Sequence, residues 1–188
     1  MKRQFMKIAL GILISCAVLT SCKKDKAEEP NEVEVITTMR LTFVPVGGGA
    51  TVTYQFDDAD GPGGTAATQQ EIVLAPSKTY GVTVQLLDKT KNPVSDVTIE
   101  VATEAAAHRF YYEPLAASNI TVSGLNNDAA GIPLGITSTW TTGAVATSRA
   151  KVTLRHYPGN PPGKAASDLV NSTKSESDIE VDFVTKIQ

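Results

Sequence analysis

The feature that most narrows the fold is a period-two alternation of apolar and polar side chains beyond residue 32. Val33, Val35, Thr37, Met39, Leu41 and Phe43 alternate with Glu34, Ile36, Thr38, Arg40 and Thr42. Successive side chains on a strand point to opposite faces, so this pattern describes a strand with one buried face and one wet face. Val52, Tyr54 and Phe56 repeat it, as do Tyr80, Val82, Val84 and Leu86, then Ala150, Val152 and Leu154, then Ile179, Val181 and Phe183. Shorter apolar pieces at 72–74, 108–112, 120–122 and 136–141 are separated by Gly-, Pro- and Asx-rich turns. About eight or nine short strands with such spacing predict an all-β fold, an antiparallel β-sandwich of immunoglobulin- or transthyretin-like architecture. Asn92-Pro93 is a helix start signal, and Val94, Val97, Val101 and Ala105 fit a helical stripe. One short helix over about 94–107 is therefore expected between the two halves, although Val97, Ile99 and Val101 also fit a strand. Residues 157–177, rich in Pro, Gly, Ser and Lys, read as a long mobile loop.

What precedes the domain is of another kind. Lys2, Arg3 and Lys7 lead into an apolar run over 8–19, and Leu19-Thr20-Ser21-Cys22 follows. A basic start, a short apolar core and a small-residue end describe a secretory signal, too short for a permanent membrane span. The ending resembles the bacterial lipobox. That resemblance implies cleavage before Cys22 and acylation of Cys22 with fatty acid such as palmitate. The expected organisation is a lipoprotein signal peptide over 1–21, a lipidated Cys22 and charged tether over 22–32, and a β-sandwich over 33–188. The tether reads KKDKAEEPNE, too charged to bury apolar area. Lys23 gives no inner-membrane retention signal of the Asp type, so the outer membrane is the expected location.

The two cysteines are Cys16 and Cys22. One leaves with the signal and the other carries lipid, so the domain has neither a thiol nor a disulfide to work with. The net charge of −3 becomes more negative once the signal cations are removed, which argues against nucleic acid as a partner. With two histidines and no G-x-S-x-G elbow, no nucleophile–base–orienter set stands out, and no enzyme is expected.

The order of lipobox, charged tether, ITTMRLTF, GGGATVTYQFDDADG, HRFYY, GITSTWTTG, VTLRHYP and SDIEVDF resembles a family of small Bacteroidota lipoproteins. Its members often carry the label "type 1 periplasmic binding fold" and often occur near TonB-dependent outer-membrane receptors. The resemblance implies an accessory role in nutrient or metal uptake, with a TonB-dependent receptor as partner beside the membrane itself. The label implies an α/β fold, and the all-β pattern opposes it. The alternative function is a structural or adhesive surface module without a small ligand.

Two sets of residues could hold a metal. Asp57, Asp58 and Asp60 before Gly61 cluster hard oxygens of the kind calcium takes, though without an EF-hand spacing, and the same residues are ordinary turn formers. His108 shares parity with Phe110 and Tyr112, and His156 with Val152 and Leu154, so both lean towards the buried side of a strand end. If 94–107 is helical, Glu104 and His108 lie one turn apart on one face. His108, His156 and Glu104 would then suit zinc, given that imidazole nitrogen and carboxylate oxygen are its ligands where Cys is absent. The plainer expectation is two histidines bonded to backbone or solvent. Asp178, Glu180 and Asp182 alternate with Ile179, Val181 and Phe183 and read as the solvent face of a strand.

Overall fold

A computed structural model describes residues 34–61 and 63–188, so the signal, Cys22 and tether readings lie outside the described residues. Eleven strands form two sheets packed face to face. The larger sheet contains β1 (Thr38–Pro45), β2 (Val52–Asp57), β3 (Thr68–Gln69), β5 (Thr79–Asp88), β6 (Ser95–Asp96), β8 (Ile120–Ser123) and β9 (Thr137–Thr142). Its order is β3-β2-β1-β5-β9-β8, with β6 paired to β5. The smaller sheet contains β4 (Ile72–Leu74), β7 (His108–Pro114), β10 (Ala146–His156) and β11 (Glu176–Ile187), in the order β4-β11-β10-β7. The architecture is the expected sandwich. One pairing departs from an all-antiparallel arrangement, because β4 runs parallel to β11.

The alternation seen in the sequence becomes the core. Met39, Leu41 and Phe43 of β1 face inward beside Leu86, Val84 and Val82 of β5, their cross-strand partners. From the other sheet come Val152 and Leu154 of β10 with Val181 and Phe183 of β11. Phe43 sits at the centre of an aromatic cluster. Its ring meets those of Tyr54, Tyr80 and Trp140 edge-on, with centroids 5.9, 6.0 and 5.3 Å away. Edge-to-face contact is the arrangement that ring quadrupoles favour.

The helix, α1, is shorter than the sequence suggests and covers only Thr98–Thr103. Ser95 and Asp96 are taken by β6, where they pair with Asp88 and Leu87. The Val97 amide also donates to the Leu86 carbonyl, and the Leu86 amide donates to Thr98 Oγ1. Sheet pairing thus claims the residues that would have formed the first helical turn. Val101 is the one buried residue of α1.

The segment between β10 and β11 is fastened rather than loose. Arg109 Nη1 donates to the carbonyls of Ala165, Ala166 and Asp168, and Arg155 donates to Ser172, Ser175 and the Ser175 hydroxyl. Arg109 and Arg155 are cross-strand partners on the outer face of the smaller sheet. Among the described residues no helix is long and apolar enough to cross a membrane.

Phe43→Ala should cost about 3–5 kcal/mol, because it empties the middle of a packed aromatic cluster. In urea unfolding the midpoint should fall while the slope with denaturant stays unchanged.

Candidate metal centre

The pairing of β7 with β10 sets the site. Inward-facing partners succeed one another along the two strands: Tyr112 with Val152, Phe110 with Leu154, then His108 with His156. The hydrophobic column therefore ends in two imidazoles, whose ring centroids are 4.4 Å apart. Both rings are buried, and Glu34, on the segment that leads into β1, approaches both.

Two carboxylates complete the group. Glu34 lies just before β1 and places Oε1 2.8 Å from His108 Nε2 and Oε2 3.7 Å from His156 Nδ1. Asp178 comes from β11, with Oδ2 3.9 Å from His108 Nε2. The ladder between β10 and β11 slips at this point: Leu154 pairs with Ile179, but Arg155 pairs with Ser177. Asp178 is thus the extra residue of a β-bulge. A bulge re-aims one side chain, and here it turns a residue of the expected solvent face inward. The Asp178 side chain is 1% exposed.

The hydrogen-bond pattern makes His108 informative. Its Nδ1 lies 3.1 Å from the carbonyl oxygen of Glu104. A carbonyl can only accept, so Nδ1 carries the hydrogen. Nε2 then directs a lone pair at Glu34 Oε1 unless a proton or a cation lies between them. A histidine whose far nitrogen is fixed by a backbone carbonyl is the usual metal-ligating arrangement. Three further buried atoms, Glu34 Oε2, His156 Nδ1 and Asp178 Oδ2, have no hydrogen-bond partner. Buried polar atoms are nearly always paired, so three orphans around one point call for something to satisfy them.

The four donor atoms lie within 4.8 Å of one another. Tetrahedral ligands at about 2.1 Å from zinc sit roughly 3.4 Å apart. The contacts of 2.8, 3.7 and 3.9 Å bracket that value. Two nitrogens and two carboxylate oxygens form a donor set suited to zinc and similar divalent ions.

Electrostatics inside the cluster divide the groups. Burial alone would raise the Glu34 carboxyl, but the His108 hydrogen bond and the neighbouring His156 outweigh it and hold it well below the usual carboxylate range. Asp178 is pushed up to about 7 by burial and by the charge on Glu34. His156 is raised above its ordinary value by the facing Glu34 carboxylate, with burial opposing.

The floor of the site is held from outside. Lys164 reaches in from the β10–β11 segment and donates to the carbonyls of Ala105 and His108 at 2.6 and 2.9 Å. Its charge meets Asp128 Oδ2 at 2.7 Å. The Tyr157 amide donates to the Ala107 carbonyl at 2.7 Å. Together these contacts fix the turn between α1 and β7 from which His108 projects.

The structure brings together the two histidines that the sequence pairs, and it sets Glu34 and Asp178 beside them in place of Glu104. The side chain of Glu104 is exposed, and only its carbonyl serves the site, because α1 ends before the turn that would aim it inward. Glu34 and Asp178 were not legible. Glu34 sits on the polar phase of the alternation, which breaks at Thr37 and Thr38, both buried. Asp178 is displaced by a bulge that leaves no mark in the residue types.

Of the three aspartates considered for calcium, Asp57 and Asp60 have partners within the chain, and Asp58 Oδ1 is buried without one. Both Asp57 oxygens meet Lys89 Nζ at 2.7 Å, and Oδ1 also accepts from Thr38. Asp60 Oδ2 accepts the Thr65 amide and closes its own loop. Among the described residues, Glu34, His108, His156 and Asp178 are the one set of such donors that gathers closely enough for an ion.

Comparison of the chain with protein-family models, curated proteins and solved structures returned no match.

The cluster fixes the sign of a pH effect in chelator. Between about pH 4.5 and 7 the folded state keeps a proton on Asp178 that the unfolded chain has released, chiefly because that carboxyl is buried. Stability of the metal-free protein should fall as pH rises across that window. Glu34, held low, acts in the opposite sense only below its ordinary value of 4.5. Added zinc should reverse the slope, because protons compete with the metal for the same atoms. Thermal unfolding at the two pH values, with and without zinc, checks both signs.

Proposed function

We propose that this protein is a lipid-anchored extracytoplasmic binding module and that its ligand is a zinc-class divalent cation. The observation that carries the reading is the convergence of Glu34, His108, His156 and Asp178 with three buried, unpartnered donor atoms. Four protein ligands in a buried cluster leave no open position for substrate, which is the pattern of structural or storage sites rather than catalytic ones. The module does no chemistry of its own. The lipobox-like Leu19–Cys22 stretch supplies the anchor, at the outer membrane. The resemblance to small Bacteroidota lipoproteins supports an accessory role in nutrient or metal uptake beside a TonB-dependent receptor.

A structural or adhesive surface module is the second reading. It is favoured by the closed coordination, since a metal with no open position can serve the fold alone. The groove beside β8, lined by Ala116, Asn119, Ile120, Thr121, Thr141, Thr142 and Gly143, offers no charged or aromatic group for a small ligand.

Calorimetric titration of metal-stripped protein with zinc should give close to one equivalent, at micromolar affinity or better, about −8 kcal/mol. His108→Ala and His156→Ala should each lose at least tenfold, about 1.4 kcal/mol. Glu180→Gln, an exposed change on the same strand as Asp178, should bind like the wild type. Equal weak binding by all four proteins would sink the metal reading.

The anchor is tested separately. Wild-type protein should take up a fatty-acid label and partition with membranes, while Cys22→Ser should take up none. An unlabelled wild type would remove the anchor from the proposal.

A further inference from the structure

The four donors are not held alike. His108, His156 and Asp178 stand on β7, β10 and β11, inside one hydrogen-bonded sheet. Glu34 stands on the segment that leads into β1 of the other sheet. No backbone hydrogen bond joins residues 34–36 to another described residue. The first firm attachment is Thr37. Its amide and hydroxyl both donate to the Leu87 carbonyl, its carbonyl accepts the Asp58 amide, and its hydroxyl accepts the Lys89 amide. Val35, next to the buried Glu34 side chain, is 52% exposed. Glu34 is thus held mainly by what its carboxylate touches, helped by the partly buried Ile36.

A cation among the four donors satisfies the orphaned atoms and offsets the two carboxylates. When the ion leaves, Glu34 Oε2, His156 Nδ1 and Asp178 Oδ2 are left buried without a partner, which is costly. His108 and His156 stand on paired residues of the sheet, and Asp178 lies between the paired Ser177 and Ile179, so the backbone of none of them can withdraw without disturbing a strand. Glu34 can reach water by rotating a segment that forfeits no backbone hydrogen bond. Its departure also opens a route to a site that is otherwise buried, and a metal site needs such a route.

We propose that residues 34–36 form a metal-closed latch: a bound cation docks Glu34 onto the four-stranded sheet, and its loss frees the segment up to Thr37. This rests on the metal reading above and adds how the site loads and what occupancy changes. Residue 34 continues directly into the chain towards Cys22. Freeing three residues adds roughly 10 Å of unattached chain ahead of Thr37, at about 3.3 Å per residue. Occupancy then sets whether the first fixed residue of the sandwich is Glu34 or Thr37.

The test uses the full-length chain with Cys16→Ser and Cys22→Ser and one new cysteine, Val35→Cys, carrying a nitroxide spin label. With zinc, the label should be immobilised, its rotational correlation time at least threefold longer than in chelator. A label at Thr83→Cys, on the exposed face of β5, should not respond. Glu34→Gln in the Val35-labelled chain should bind zinc at least tenfold more weakly, and its label should stay mobile at saturating zinc. If calorimetry shows no zinc binding to the parent chain, the metal reading fails and the latch with it. If zinc binds tightly but the Val35 label is indifferent to it, and Glu34→Gln binds as well as the parent, the latch is overturned while a three-ligand site survives.

Discussion

The register between β7 and β10 is the constraint from which the rest of the site follows. Once Leu154 lies opposite Phe110, every second pair on the two strands must face the core. That places Tyr112 with Val152 and Phe110 with Leu154 in the packed interior, and His108 with His156 at its end. A slip of one residue would turn both imidazoles to solvent and bring Arg109 and Arg155 inward. Those arginines instead reach outward and grip the β10–β11 segment by its carbonyls. The same register therefore secures the segment from one face and builds the histidine pair on the other.

The cluster is expensive for the fold that contains it. Each buried polar atom without a partner costs about 1–3 kcal/mol, and this site has three. Apolar side chains of similar size would generally serve stability better than buried ionisable groups. The surrounding structure nevertheless supports the donors in detail. The Glu104 carbonyl fixes one imidazole, and Lys164 holds the carbonyl of His108 while Asp128 neutralises it. Positioning of that kind is what metal sites need from their outer contacts.

How much of this could be read from residue types depends on whether the local pattern survives folding. The alternation over Met39–Phe43, Tyr80–Leu86 and Ala150–Leu154 became buried strand faces because each run pairs without interruption. The same parity placed His108 and His156 correctly on the inward side. It failed for Asp178 because a bulge in β11, opposite Leu154 and Arg155, shifts the count by one, and no residue type announces it. It failed for Glu34 because the chain changes phase on entering β1, so that Val35 is exposed where alternation would bury it. The helix was overdrawn for a related reason: the β5 backbone competes for Ser95 to Thr98, and a propensity scale does not see that partner. Residue types also hide that Asp57 meets Lys89, which lies 32 residues away in the chain.

The placement of the four donors also bears on how a domain without cysteines can tie its sheets together. Cys16 and Cys22 both precede the sandwich, so no disulfide can join its layers. Glu34 belongs to the chain entering the larger sheet, while His108, His156 and Asp178 belong to the smaller one. A cation held by all four is a cross-link between the layers, and its ligands are spread from near the start of the domain to near its end. Closing a long loop removes more freedom from the unfolded chain than closing a short one, growing with the logarithm of loop length. The benefit holds only while the ion binds the folded state better than the unfolded chain. Geometry favours that condition, because the register of β7 with β10, the bulge in β11 and the approach of Glu34 all have to exist before the donors converge.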